Sequence, residues 1–356
     1  MFSKKVAMIK DLSIGGNNPI RVQTMYDSQI CDTDVDEVIR RIKLLAAMGC
    51  DIIRFSYVSS KDKDNFTKIC QLSPIPVVAD IHFDYKLAIE ALRCGAPKIR
   101  INPGNIGPKW KSEEVIKAAK DYNAAVRIGL NSGSLPHNDK NLDTPTLMVD
   151  TALEYLSWFE AWGFDNSVIS LKASDPEITL EANRKLSKMC DYPIHIGVTE
   201  AGGIVTSCIR STWALGNLLK EGIGDTIRVS ITGSIEAEVQ AAVEILRTLG
   251  LRKGGVRIVS CPRCGRHSFD SQGFLNKIEN RLLSLNKDIT VAIMGCQVNG
   301  PGEAKNADVA ITGIGNSTFI YRNGELFKKV TFDDAEKVLF DLIEELIDSF
   351  LVRCGF

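Results

Sequence analysis

Three cysteines and one glutamate in the last third of the chain have the residue types and spacing of a metal site. Cys261 and Cys264 share a Cys-Pro-Arg-Cys motif, Cys296 lies 32 positions further on, and Glu303 follows after 7 more. Thiolates are soft ligands that select iron–sulfur clusters, copper(I) or zinc. Each cysteine group stands where a short apolar run, 255–260 or 289–294, breaks into a turn. The pattern therefore predicts bound metal.

The fourth ligand is the informative one. Segment 295–303 offers no second thiol, but its Gly-Pro-Gly turn at 300–302 can fold the carboxylate of Glu303 back toward Cys296. A hard oxygen ligand is held weakly by a soft cluster. The sequence thus indicates an iron atom that a substrate can reach.

Structural zinc is the alternative, since Cys-Pro-x-Cys-Gly is also a common zinc-knuckle sequence. A zinc ribbon needs a second pair of cysteines spaced as CxxC, and the sequence has none. A site of three cysteines and His267 stays open, although His267 lies only 3 residues past Cys264. The residues favour the cluster over zinc.

Composition limits the function classes. The chain has 356 residues, of which 44% are hydrophobic and 24% charged, enough for one large barrel and a smaller unit. With 43 basic and 44 acidic residues and no basic block, the sequence argues against a nucleic-acid partner. It contains neither a signal peptide nor an apolar run that could span a bilayer. We predict a cytoplasmic protein without a membrane partner, whose 10 cysteines are reduced.

The elements that must position these groups form an eightfold alternation of short β-branched strands and helices with apolar residues at three- and four-residue spacing. The predicted strands are 20–25, 51–57, 75–82, 98–102, 125–131, 167–174, 193–199 and 226–232. Eight such units predict a TIM (β/α)8 barrel, whose active site gathers at the carboxyl ends of the strands. An open doubly wound sheet is the rival, but it does not need eight regular units.

The chain divides at a glycine-rich linker, 248–255. We predict a barrel over 1–250 that binds substrate, and a small α+β iron–sulfur domain over 255–356. Within the second domain we expect a helix near 274–285, strands near 308–312 and 318–321, and a closing amphipathic helix at 332–350.

Five cations lie within separate predicted strands, each between apolar neighbours. They are Arg54, Arg100, Arg127, Lys172 and Arg228. One buried cation is usually a structural ion pair, but alternation points all five to one face of their strands. Inside a barrel their desolvation and mutual repulsion require an anion. Because arginine matches phosphate oxygens, the predicted ligand is a small diphosphate.

Polar side chains at the strand ends complete the predicted substrate site. They are Asp80, His82, Asn102, Asn131, Ser174 and Ser230. Glu200, where strand seven opens into Ala-Gly-Gly, is a candidate proton donor or acceptor, with neutralisation of a nearby arginine as the alternative. The long polar loop 131–146 is a candidate lid.

These motifs resemble, in order and along nearly the whole chain, the bacterial 4-hydroxy-3-methylbut-2-enyl diphosphate synthases of the methylerythritol phosphate route to isoprenoids. The matching segments are 22–25, 78–84, 100–105, 127–129, 199–203, 221–226, 261–264 and 298–303. Arg21 and Tyr26 depart from the usual small or hydroxylic residues, and the inserted domain of plant-type relatives is missing. The chain is therefore similar to the compact form.

The resemblance implies a [4Fe-4S] cluster held by Cys261, Cys264, Cys296 and Glu303. It also implies reductive ring opening of 2-C-methyl-D-erythritol 2,4-cyclodiphosphate with loss of water, with two single electrons from ferredoxin or flavodoxin. A homodimer is implied too, in which the cluster domain of one subunit caps the barrel mouth of the other. Two rival functions are a zinc-stabilised barrel enzyme of the pterin-binding type and a metal-clipped sensor of phosphorylated metabolites.

Overall fold

The computed structural model describes residues 3–137, 141–261, 264–265, 267–285, 287–296, 300–314 and 317–353. The chain folds into two compact units, Met1–Arg252 and Lys253–Phe356. Within the described ranges, no helix combines the length and apolar character needed to cross a bilayer.

The first unit begins with a hairpin that the sequence analysis did not predict. Strand β1 (Val6–Ile9) pairs antiparallel with β2 (Leu12–Gly15). Ile9 and Ile14 are fully buried against Ile52, Val78 and Ala125, which lie on three of the strands that follow. The hairpin therefore supplies an apolar floor for the amino-terminal end of the barrel.

Eight parallel strands form the barrel, in the order β8-β7-β6-β5-β4-β3-β10-β9. Their bounds are β3 Arg21–Met25, β4 Ile52–Ser56, β5 Val77–Asp80, β6 Lys98–Ile101, β7 Ala125–Asn131, β8 Ser167–Lys172, β9 His195–Ile196 and β10 Thr226–Ile227. A parallel bridge between Ile169 and Ile194 joins the two ends of this order. The barrel is thus nearly closed, and the predicted TIM fold is confirmed.

Strands seven and eight are much shorter than predicted. Only two residues each, in β9 and β10, keep a regular ladder, where 193–199 and 226–232 were expected. Beyond them the backbone of Gly197 is so close to Arg228 that an added Cβ would lie 2.5 Å from the Arg228 carbonyl oxygen. Single bonds remain, such as Arg228 N–H to the Ile196 oxygen at 3.1 Å.

Helices follow the strands and cover the barrel. They are α1 Val35–Ala47, α2 Lys63–Leu72, α3 Tyr85–Arg93, α4 Pro103–Ile106, α5 Lys109–Asp121, α6 Thr144–Ala161, α7 Pro176–Met189, α8 Ile204–Lys220 and α9 Ile235–Thr248. Several start at a side-chain cap that satisfies an exposed backbone N–H. Asp84 accepts from Lys86 N at 2.9 Å, and Asp175 accepts from Glu177 N at 2.8 Å. Each such cap stabilises its helix by about 1 kcal/mol.

The second unit is a mixed five-stranded sheet with helices. Its elements are β11 Val256–Ser260, α10 Ser271–Leu283, β12 Ile289–Met294, α11 Gly300–Ala304, β13 Val309–Ile314, β14 Ser317–Arg322, β15 Glu325–Val330 and α12 Phe332–Arg353. Strands β11, β12 and β13 are parallel, whereas β14 and β15 continue antiparallel. Buried Val291 and Ile311 of the sheet pack with Ile278 of α10 and Leu339 of α12.

Strand β15 was missed by the sequence analysis. It pairs with β14 through a turn in which Asn323 and Gly324 have φ values of 48° and 86°. Two consecutive positive φ values fit a tight hairpin turn, and Asn-Gly is its strongest sequence signal. The signal was therefore present, but all but the last residue of β15 are exposed, so the strand lacks the apolar alternation that marked the others.

Candidate active site

The predicted cations lie inside the barrel. Arg54, Arg100, Arg127 and Lys172 are buried, with exposed fractions of 8%, 6%, 1% and 6%. They come from four strands, and Arg228 follows β10. Register explains their convergence, since Arg100 pairs with both Asp80 and Arg127 across neighbouring strands. In-register residues of parallel strands point to the same side of the sheet.

These side chains surround a cavity of about 210 Å³. Nine of the predicted substrate-binding residues line it: Arg54, Asp80, His82, Arg100, Arg127, Asn131, Lys172, Arg228 and Ser230. Burial first, and then the charge of Arg127, lowers the pKa of Lys172 well below its usual range. The buried cations thus disfavour one another's charge, and a polyanion is the ligand that would relieve this repulsion.

Asp80 connects two of the cations. Its Oδ1 lies 3.1 Å from Arg100 Nη1, and its Oδ2 lies 3.6 Å from Arg54 Nε and 3.5 Å from His82 Nε2. Burial alone would raise the pKa of Asp80, but Arg54, His82 and Arg100 together hold it well below the usual value. Asp80 therefore stays ionised, and its geometry is that of a group that orients the arginines.

We expect Asp80→Asn to lower the free energy of unfolding at pH 7 by about 3–5 kcal/mol, because it leaves two buried guanidinium groups without their carboxylate. A carboxylate with a depressed folded pKa stabilises above its unfolded pKa, and this contribution is lost as pH falls through the folded value. The difference between wild type and variant should therefore be constant above about pH 5 and shrink below about pH 4. Urea unfolding at several pH values measures it. An equal difference at pH 7 and pH 3 would contradict the ion-pair account.

Glu238 is a site residue that sequence reasoning missed. This buried side chain of α9 accepts from Arg228 Nη2 at 2.9 Å and Nε at 3.1 Å, and from the Thr24 hydroxyl at 2.7 Å. The backbone N–H of Ile231 donates to it as well, at 3.0 Å. A bidentate carboxylate fixes the plane of a guanidinium. Glu238 therefore positions Arg228, and its only sequence signal was a charge on the apolar face of a helix.

Two glycines make room for the cations. Arg100 crosses β7 and donates to the carbonyl oxygen of Gly129 at 2.9 Å, and a Cβ on Gly129 would lie 2.2 Å from Arg100 Nε. A Cβ on Gly197 would lie 2.8 Å from Lys172 Nζ. Any larger residue at either position would displace a cation, so these glycines are part of the site.

Three predicted site residues do not line the cavity. Asn102 is buried, but its Oδ1 caps α4 by accepting from Gly104 N at 3.1 Å. Ser174 and Glu200 are exposed. Glu200 has a φ of 53°, a left-handed conformation that is uncommon outside glycine and often marks functional sites. It directly follows Thr199, which does line the cavity, so Glu200 stands at the rim.

Several interior groups were not predicted as site residues. Met25, Ser170 and Thr199 line the cavity. Lys98 is fully buried in β6, two positions before Arg100 and hence on the same side of the strand. The period of two that identified Arg100 could also have found Lys98.

Two of the proposed cluster ligands lie at the same end of the second sheet. Cys261 follows β11 and Cys296 follows β12, its parallel neighbour. The backbone N–H of Gly295 donates to Cys261 Sγ at 3.1 Å. Cys261 also packs against the small apolar cluster that contains Ala304, the neighbour of Glu303.

This donor set fits a soft metal cluster in its chemistry. Cys261, Cys264 and Cys296 form no disulfide among the described residues, and half-buried Glu303 of α11 supplies a carboxylate. Among the residues that the structure describes, no three His, Cys, Asp or Glu side chains converge within metal-binding distance. Residues 262–263 and 297–299 of the motifs lie outside the described ranges.

A (β/α)8 barrel with a buried cationic cavity, followed by a unit that carries three thiols, defines a metalloenzyme class that acts on a polyanionic small molecule. The GcpE TIM-barrel domain matches residues 3–243, and the GcpE protein C-terminal domain matches residues 257–345. The chain belongs to the GcpE family, a family of iron–sulfur oxidoreductases.

Two full-length relatives carry the same enzyme name. The chain is 44% identical over 345 residues to the 4-hydroxy-3-methylbut-2-en-1-yl diphosphate synthase (flavodoxin) of Treponema denticola, covering 90% of this chain and 89% of that protein. It is 45% identical over 349 residues to the enzyme of that name from Caldicellulosiruptor saccharolyticus, covering 97% of both. The predicted resemblance is therefore confirmed.

Among solved structures, the barrel is similar to dihydropteroate synthases. That of Xanthomonas albilineans with 4-aminobenzoic acid gives a TM-score of 0.51 at 16% identity and covers 70% of this chain and 98% of that one. That of Vibrio fischeri gives 0.50 at 14% identity, with 69% and 98% covered. This likeness shows the barrel fold alone.

Proposed function

We propose that this chain catalyses the reductive ring opening of 2-C-methyl-D-erythritol 2,4-cyclodiphosphate to 4-hydroxy-3-methylbut-2-enyl diphosphate in the methylerythritol phosphate pathway. Two electrons enter, a carbon–oxygen bond to the ring diphosphate breaks, and a hydroxyl group leaves as water. Membership of the GcpE family supports this reaction. The observation that carries it is the buried ring of cations around one cavity.

The cations do more than bind the substrate. Each phosphorus of the cyclic diphosphate carries one ionised oxygen, and ring opening leaves the terminal phosphate with additional negative charge. Arg100, Arg127 and Lys172 are held in place by the barrel before the reaction starts. Preorganised positive charge stabilises negative charge that develops in the transition state more than it stabilises the ground state. The buried cations therefore lower the barrier to cleavage of the carbon–oxygen bond.

Glu200 is the residue that we propose as the proton donor. The departing hydroxyl must gain a proton to leave as water, and a carboxylic acid near the reacting carbon can donate it. Glu200 stands at the rim of the cavity next to Thr199. Its backbone has the left-handed φ of 53° that marks it out from its neighbours. We assign Glu200 as the proton donor.

The chain's own ligands for a [4Fe-4S] cluster are Cys261, Cys264, Cys296 and Glu303. When bound, such a cluster supplies single electrons and a Lewis-acidic iron. The names of the similar enzymes specify flavodoxin, and we propose flavodoxin or ferredoxin as the donor for this chain. We further propose a homodimer, which sedimentation velocity measures directly; a monomer at micromolar concentration would contradict it.

Anaerobic purification tests the proposed function. Brown protein with iron and acid-labile sulfide that converts the cyclic diphosphate when dithionite supplies electrons is the expected result. Colourless protein with zinc and no turnover would support a zinc-stabilised barrel enzyme or a sensor. Iron–sulfur protein that binds the cyclic diphosphate but never turns it over would support the sensor alone.

We expect Glu303→Ala to retain most of its iron and sulfide, because three thiolates remain to hold the cluster, while kcat falls by about 100-fold or more. The reason is that Glu303 would hold the one iron without a thiolate ligand, and that iron would supply Lewis-acid chemistry to the substrate. Iron and sulfide analysis beside steady-state kinetics measures both effects. Glu325→Ala, an exposed glutamate of β15 in the same unit, is the matched control and should behave as wild type. Wild-type turnover by Glu303→Ala would remove this role.

A further inference from the structure

Lys98 is a charged residue of the barrel interior placed at the level of its apolar floor. On β6 it pairs in register with Val78 on one side and Ala125 on the other. Both belong to the apolar cluster that the amino-terminal hairpin seals. Lys98 is fully buried, and its Nζ has no hydrogen-bond partner within the described part of the chain. Among the described residues, its amine therefore has no carboxylate or other acceptor.

The groups that face Lys98 offer no negative charge. Arg54 of β4 and Arg127 of β7 repel it, and His195 of β9 shares the same interior. His195 Nδ1 is bonded to the Thr226 hydroxyl at 2.6 Å, and its Nε2 has no partner among described residues. The interior carboxylate, Asp80, is taken by Arg54 and Arg100.

Lysine and arginine respond differently to such surroundings. A guanidinium keeps its proton in proteins, so Arg54 and Arg127 must remain charged. A buried amine can instead release its proton and become neutral. Burial first, and then Arg127 and Arg54, lowers the pKa of Lys98 well below its usual range. Two buried lysines can therefore shed charge when no anion is bound, Lys172 in the lining of the cavity and Lys98 beneath it.

We propose that Lys98 is a proton-linked positioning residue, whose amine takes up one proton when the cyclic diphosphate enters the cavity above it. The inference rests on the proposed function, since it requires an anionic ligand in that cavity. The diphosphate compensates Arg54 and Arg127, removes the repulsion that kept the amine neutral, and adds its own attraction. A newly charged Lys98 then holds the diphosphate from below.

The sign of the pH dependence follows from linkage. Binding that takes up a proton weakens as pH rises between the pKa of Lys98 in the free protein and its higher pKa in the complex. Below the first value Lys98 is charged before binding, and above the second it stays neutral throughout. The cyclic diphosphate has one strongly acidic oxygen on each phosphorus, so it does not titrate in this range and the proton must come to the protein.

Isothermal titration calorimetry of the oxidised holoenzyme tests the inference, with the cyclic diphosphate as ligand and no electron donor present. Titrations at one pH in two buffers of different ionisation enthalpy give the number of protons taken up. Lys98→Met keeps the length of the side chain and removes its titration. We expect wild type to take up about one proton more than Lys98→Met, and the variant to bind about tenfold more weakly at pH 7.

A matched control distinguishes the effect of a titratable group from that of a buried polar group. Gln23 is another fully enclosed interior side chain, with neither amide atom partnered in the described structure, but it has no proton to exchange. Gln23→Met should therefore keep the proton uptake of wild type. Lys98→Met without ligand should melt no lower than wild type, because it replaces an amine that is already neutral.

Each result decides the matter. Equal proton uptake by wild type and Lys98→Met, or no uptake by wild type, overturns the role of Lys98 and leaves the proposed function intact. A large fall in the melting temperature of ligand-free Lys98→Met also overturns it, because Lys98 would then be a stabilising charge. No binding of the cyclic diphosphate to wild type overturns the proposed function and this inference with it.

Discussion

Cys296→Ser should purify without iron or acid-labile sulfide and lose at least about 100-fold in turnover, with its fold retained. Replacing a residue that only orients a metal ligand typically lowers metal affinity or activity by about 10–100-fold. Replacing a ligand itself should lower them further. Serine is a poor substitute because its hydroxyl stays protonated and is a hard donor. Cys296 is buried at the end of β12, where the Thr312 hydroxyl donates to its carbonyl oxygen at 3.1 Å.

The fold should survive because that backbone contact does not involve the sulfur. Circular dichroism and thermal melting of the cluster-free proteins would show it. Cys208→Ser on α8 is the control, since this free cysteine lies in the barrel unit and should change neither metal content nor rate. Full iron and sulfide in anaerobically purified Cys296→Ser would exclude Cys296 as a ligand.

The sequence predicted those parts of the fold that depend on periodicity. Eight β-branched runs predicted eight parallel strands, because a parallel strand buried on both faces needs a nearly continuous apolar run. The cations at 54, 100, 127 and 172 interrupt such runs, and this made them visible. Their convergence on one cavity followed from strand alternation and the geometry of a barrel.

The parts that could not be predicted depend on contacts between distant segments. The hairpin of β1 and β2 is too short to show periodicity, and its place under Ile52 and Val78 is a property of the closed barrel. Glu238 stands out in the sequence only as a charge on the apolar face of a helix, and its contact with Arg228 exists only once that helix is docked. Asn102 was predicted to bind substrate because it ends a strand, but the same position is also the cap of α4.

The barrel interior is therefore built for its ligand at the expense of its own stability. Its buried cations outnumber its buried carboxylates, and among described residues Nε and Nη1 of Arg127 have no hydrogen-bond partner. Active sites commonly store this kind of unfavourable electrostatics, and substitutions that relieve it stabilise the protein while removing function. When the cation with the fewest compensating partners is replaced, both the gain in stability and the loss of function should be largest.

Arg127→Met should make the ligand-free protein more stable and the enzyme almost unable to bind its substrate. Burial first, and then Arg54 and Arg100, lowers the pKa of Arg127 well below its usual range, but a guanidinium keeps its proton. The repulsion of Arg127 by Arg54 and Arg100 therefore persists in the folded protein and lowers its stability. Replacing uncompensated buried charge by an apolar side chain stabilises by about 1–4 kcal/mol. Losing one side of a buried charge pair with the diphosphate should weaken binding by about 2–5 kcal/mol, or roughly 30-fold or more.

Arg228→Met provides the contrast that makes this prediction specific. Its guanidinium is paired with buried Glu238, so its removal leaves an isolated carboxylate and should destabilise the protein by about 3–5 kcal/mol. Both variants should bind the cyclic diphosphate poorly, yet their unfolding free energies in urea should move in opposite directions. If Arg127→Met loses as much stability as Arg228→Met, contacts within the protein compensate the charge of Arg127. The electrostatic account of the cavity is then wrong.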